Sequence, residues 1–198
     1  MKFDFIIVFI SLIITAYAAL YDVNYLEYES PIPYSNWKSI TWNDFKGLKH
    51  SKQSLFGNEK FAYIDSKIII KYTSDSTLEV STWFYPCRSY VFNKKIADQN
   101  LLNHELVHFH LTEYCARLLR KAISELPKNI DNKTTIEELE NKYNQEEQAS
   151  QIKYDDETFH SYVLSKQKEW KKNVSKWLDS LKKFENPNLI IGKKMGNI

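Results

Sequence analysis

The chain has 198 residues, a net charge of +2, 43% hydrophobic residues and 15% aromatics. That length fits one domain with a core of its own, and so small a charge gives no footing for nucleic acid. Four Gly and five Pro exclude a low-complexity or collagen-like chain.

Taken in chain order, Lys2 precedes an apolar run from Phe5 to Thr15, and Ala16-Tyr17-Ala18 follows. This reads as a signal peptide over residues 1–18, cleaved after Ala18. The run is shorter than the roughly 20 residues of a membrane span. The expected product is exported, periplasmic or extracellular, with residues 19–198 as one domain and no stable membrane insertion. Retention of the segment as an anchor is the alternative. Two cysteines in an exported chain fit one disulfide, Cys87–Cys115. They fit two independent buried thiols equally well.

Pro31 and Pro33 ask for an extended start. Ile40 to Trp42 reads as a short strand before a turn at Gly47. Lys67 to Tyr72 is β-branched, Ser74-Asp75-Ser76 supplies turn chemistry, and Leu78 to Thr82 alternates apolar and polar. Together they read as a hairpin, ended by Pro86. From about residue 99 the period becomes helical. Leu101, His104, His108, Leu111, Cys115, Leu118, Ala122 and Leu126 form its stripe, Asp98 or Asn100 caps it, and Pro127 ends it. A second helix is expected from Thr135, with Glu138 as its capping-box partner, to about Gln151. Its charge makes it a solvated outer helix. A third is expected from about Thr158 to Phe184. Its stripe holds His160, Val163, Leu164, Gln167, Trp170, Val174, Trp177, Leu178 and Leu181, and its lysines form a solvated face.

The chemistry sits in His104-Glu105-Leu106-Val107-His108. Histidines four apart on a helix share one face and can grip one ion. Glu105 projects to the side, where it can reach a water on that ion without displacing a ligand. Two satisfied core histidines would also explain the pair, but the intervening Glu favours one zinc ion per chain. A catalytic zinc takes three protein ligands and leaves one position open. His50 lies in a polar loop, and His110 and Glu113 point away from the stripe. His160 is the favoured third ligand, with Glu157 next. Asp155, Asp156 and Glu157 are alternative ligands or partners of the ligands, and Asp155 could hold the other N–H of His160.

Six segments carry a resemblance. They are Trp42–Gly47, Ser89–Val91, Leu101–Phe109, Tyr114–Arg117, Tyr154–His160 and Gln167–Trp170. Over about residues 36–180 the chain resembles a bacterial family of unknown-function domains described as secreted zinc-dependent proteases. The resemblance implies that Tyr154, Asp155, Thr158 and His160 belong to the site. Three positions depart from the expected pattern: Ser161 stands in place of Gly, His110 in place of an acid, and Tyr90 in place of Trp.

The fold class expected is α+β. A short N-terminal β-hairpin or sheet precedes the zinc-binding helix and two further helices, in a zincin-like arrangement. The expected activity is that of a zinc metallopeptidase acting on a peptide or protein substrate. Glu105 is its general base. Tyr154 is a candidate oxyanion donor, or else an aromatic packed over the ligands. The strand Leu78–Phe84 is a candidate edge for an extended substrate. The rival readings are a non-catalytic zinc-containing binding protein and a zinc amide hydrolase acting on cell-wall material.

Overall fold

A computed structural model describes residues 28–47, 62–128 and 132–192. The expected signal segment and His50 lie outside these residues. The strands are β1 (Ile32–Pro33), β2 (Ala62–Tyr63), β3 (Ser66–Ser74), β4 (Thr77–Phe84), β5 (Tyr90–Val91) and β6 (Asn188–Ile190). The helices are α1 (Gln99–Ser124), α2 (Lys133–Thr158) and α3 (Leu164–Ser180). The class is α+β.

The hairpin forms as its sequence dictates. β3 and β4 pair antiparallel, with Ile68 opposite Thr82 and Ile70 opposite Val80. Ser74 Oγ accepts the Ser76 N–H at 3.2 Å in the turn. Alternate residues of β4 (Leu78, Val80, Thr82 and Phe84) are buried, and each apolar one contributes about 1.5–3 kcal/mol. β4 is no edge, however. β3 flanks it on one side, and β1 and β6 pair with it as well. The expectation that Leu78–Phe84 offers an open edge is therefore corrected.

The segment before the hairpin also differs from expectation. Ile40–Trp42 is no strand, because two 3-10 turns, Tyr34–Ser39 and Trp42–Asp44, take up the chain. Asp44 draws its own backbone into the second turn by accepting the Thr41 N–H at 2.8 Å. Gly47 serves a close approach: a Cβ there would stand 2.9 Å from the carbonyl oxygens of Cys87 and Ser89.

α1 is the axis of the molecule. Asp98 caps it, accepting the Leu101 N–H at 2.9 Å. The sheet packs on one side of α1, and α2 and α3 pack on the others. A helix enclosed by two layers buries more than a stripe. Leu119 and Ile123 are accordingly buried, while Leu118, Ala122 and Leu126 are half-buried. The acid expected to point away, Glu113, is buried. Its carboxylate accepts from Arg117 Nε and Arg120 NH1 at 2.9 Å each, and from Thr82 Oγ1 at 2.8 Å. Arg120 also donates to the carbonyls of Val80 and Phe184, and Arg117 to that of Leu178. The cluster ties α1 to β4 and to the end of α3.

α2 starts at Lys133 with no side-chain cap, so the Thr135–Glu138 capping box is absent. It also runs through Gln151 to Thr158. Only Ile136, Tyr154 and Thr158 of α2 are buried. Most of its length is therefore a solvated outer helix, and its last turn inserts into the core. α3 does not begin at Thr158. Phe159, His160 and Ser161 all have positive φ, at 48°, 50° and 78°, and a right-handed helix cannot pass through such residues. His160 thus lies in a turn between helices, not on a core-facing stripe. α3 buries Gln167, Trp170, Val174 and Leu178.

Cys87 and Cys115 are free and buried. Cys115 packs with Leu78 and Val80, whereas Cys87 lies in the turn beyond the other end of β4. The two thiols are separate, so of the two readings the independent buried thiols hold and the Cys87–Cys115 bridge does not. No described helix is long and apolar enough to cross a membrane.

Candidate metal centre

Four residues of helix place His104 and His108 on one face of α1, with their Nε2 atoms 3.2 Å apart. The last turn of α2 brings Asp155 against them. Its Oδ1 stands 3.1 Å from His104 Nε2 and 3.0 Å from His108 Nε2. These three side chains form a group able to hold a metal ion. The triangle fits a small divalent cation. Tetrahedral ligands at 2.0–2.1 Å from zinc lie about 3.3 Å from one another, close to all three edges. The donor set, two imidazoles and a carboxylate, is also one that zinc accepts.

His160 stands beside the triangle. Its Nδ1 lies 3.4 Å from the same Asp155 oxygen, and its side chain is 53% exposed. The structure thus gathers Asp155 with the two histidines and leaves His160 at the rim. Glu157 is engaged elsewhere, since its carboxylate accepts the Trp170 indole N–H at 2.8 Å, and Asp156 is exposed. His110 points away as expected, with its Nδ1 2.8 Å from the Tyr34 hydroxyl.

The electrostatics follow from this packing. Burial lowers His104 to about 4, which keeps its ring neutral and able to coordinate. Burial also works to lower His108, but hydrogen bonds to Asp155 and Gln151 and the charge of Glu105 outweigh it and raise the ring. Burial works to raise Asp155, yet the two histidines hold its carboxyl below the ordinary carboxylate range. Acceptor atoms converge here, and any cation that enters, proton or metal, is stabilised.

Glu105 is fully enclosed, and burial pushes its carboxyl up to about 7. The Ile64 backbone N–H steadies it. It lines a cleft of about 260 Å³ with His104, His108, Asp155 and His160. The extended segment from Ala62 to Ser66, which leads into β3, lines it as well. Tyr154 is not in the cleft lining. It is fully buried behind the histidines, stacked on His104 with ring centroids 4.6 Å apart and planes 22° apart. Burial raises its phenol further above the ordinary value. Thr158 closes α2 by donating to the Tyr154 carbonyl at 2.6 Å.

Sequence reasoning missed Glu147, Gln151 and Thr112, which border the site from α2 and α1. Gln151 Oε1 accepts from His108 Nδ1 at 2.5 Å. Continued helical spacing from Gln151 to Asp155 was the available signal: 147, 151 and 155 are four apart and share one face. No family model, curated protein or solved structure matches this chain, so its chemistry is argued from its own residues.

Proposed function

We propose that this chain is an exported zinc-dependent peptidase whose metal is held by His104, His108 and Asp155. One observation carries the reading: a triangle of three donor atoms with edges of 3.0–3.2 Å, opening into the same cleft as the buried acid Glu105. Bound zinc would lower the pKa of a water toward neutrality and polarise a carbonyl. Glu105, with its carboxyl near 7, suits a group that takes a proton and returns it to a leaving amine at neutral pH. The strand Ala62–Tyr63, paired on one side with Tyr90–Val91, gives an extended substrate a backbone to lie along. Tyr154 holds the His104 ring by stacking, which replaces the oxyanion role in this reading.

A second reading draws on His160. Its nearness to Asp155 would let it close the site with a fourth protein ligand, as structural zinc sites are closed. The protein would then bind a partner without catalysis. Metal analysis and a peptide-library digest, with and without chelator, separate the two. About one zinc per chain is expected, with chelator-sensitive cleavage that Glu105→Gln abolishes while zinc is kept. Zinc without cleavage supports the closed site. No zinc uptake on reconstitution defeats both readings.

A further inference from the structure

We propose that Gln151 and Glu147 form a positioning relay that fixes the tautomer of His108 and presents its Nε2 lone pair to the metal. The relay rests on the metal-binding reading above, though its geometry is independent of any ion.

The argument starts from the amide of Gln151. Its Nε2 has two N–H groups and faces three acceptors: Glu147 Oε1 at 2.6 Å, the His108 carbonyl at 3.1 Å and Thr112 Oγ1 at 3.2 Å. An amide nitrogen only donates and an amide oxygen only accepts. The nitrogen end is therefore committed to that side, and Oε1 must face the other. There it meets His108 Nδ1 at 2.5 Å. An acceptor at Nδ1 selects the tautomer with its proton on Nδ1, which leaves Nε2 unprotonated toward His104 and Asp155.

Glu147 sets the direction of the chain of bonds. Its Oε1 also accepts from Thr112 Oγ1 at 2.8 Å, and Ser66 Oγ stands 2.7 Å from the same hydroxyl. A carboxylate cannot donate, so the Thr112 proton points to Glu147 and the Ser66 proton to Thr112. The Thr112 hydroxyl also lies 3.2 Å from the His108 carbonyl, but every acceptor open to the Gln151 amide nitrogen lies on the side away from His108 Nδ1. Metal-binding histidines commonly donate directly to a carboxylate. Here a neutral amide stands between, and the negative charge is kept one residue further from Glu105 and Asp155. That separation limits like-charge repulsion around the metal. His104 has no equivalent partner: its Nδ1 is buried without a hydrogen bond among the described residues, and stacking on Tyr154 orients it instead. The two zinc histidines are thus held by different means.

Two measurements test the relay. The first is zinc affinity, read by competition with a chromophoric chelator on the full chain. Gln151→Leu should weaken zinc by about 10–100-fold. Exchanging the pair, Gln151→Glu with Glu147→Gln, should restore it to within a few-fold, because an acceptor again faces Nδ1 and an amide N–H again faces the carboxylate. Glu147→Gln should cost less than Gln151→Leu. The second is the nitrogen-15 NMR signature of His108 in metal-free parent protein at alkaline pH, where the proton should sit on Nδ1. A proton on Nε2 overturns the relay, and so does Gln151→Leu that folds and binds zinc like the parent. If the parent takes no zinc, the functional reading fails, and the tautomer alone decides the relay.

Discussion

Two clusters of charged and polar groups are buried along α1, and they are satisfied in opposite ways. Around Glu113 the carboxylate is matched by two guanidinium groups and a hydroxyl. The remaining guanidinium donors largely go to backbone carbonyls. Around His108 the groups that converge can each present a lone pair: two ring nitrogens and a carboxylate oxygen within 3.2 Å of one another. The first cluster is closed by the protein itself. The second draws a proton onto His108 and asks for a cation. Buried charge thus marks structure where the chain supplies both signs, and marks a site where it supplies one.

Breaking the closed cluster should have the largest effect. Glu113→Ala leaves two buried guanidinium groups without their counter-charge and should cost about 3–5 kcal/mol of stability by urea denaturation. Zinc affinity of the folded fraction should barely change. An equal loss of both would mean that the two clusters act as one unit.

The open cluster, with Glu105 beside it, should respond to pH. Glu105 has a folded pKa of about 7 against an ordinary 4.5. In metal-free protein its contribution is therefore full below pH 4.5 and is lost as pH rises to 7. The difference amounts to about 3 kcal/mol. Glu105→Gln lacks this titration. It should be more stable than the parent above pH 7 without metal, and show no such gain below pH 4.5. Thermal melts across that range with a chelator present will check it, and a gap that does not change with pH refutes it.

A smaller effect sharpens the assignment of the third ligand. Asp155→Ala should weaken zinc binding by about 10–100-fold, since it removes one corner of the triangle. His160→Ala should weaken it less, because the ring stands at the rim. Competition titration reversing that order would move His160 into the coordination sphere.

The smallest effect concerns strain. The positive-φ residues other than Gly among the described residues are Phe159, His160 and Ser161, and the middle one stands beside the open cluster. Side chains pay for that conformation in close contacts between Cβ and backbone. Ser161→Gly, at φ 78°, should raise stability by about 0.5–1 kcal/mol. A lower melting temperature would show that the serine side chain contributes more than its strain removes.

The hairpin, its turn, α1 with its Asp98 cap, and the His104–Glu105–His108 constellation were all legible in the sequence. Each depends on contacts within a few residues, where periodicity and turn chemistry act. The choice between Asp155 and His160 was not legible. It depends on where α2 stops, and α2 continues past Gln151 because Tyr154 finds a place behind His104 in the core. The left-handed turn that follows then throws His160 outward. Glu147 and Gln151 read as solvated surface because their partners lie on α1, more than thirty residues away. Local pattern determined which helix carries the His104–His108 pair. Only the packing of α2 across α1 decided what completes the triangle, because side chains distant in sequence meet only once both helices bury their shared face.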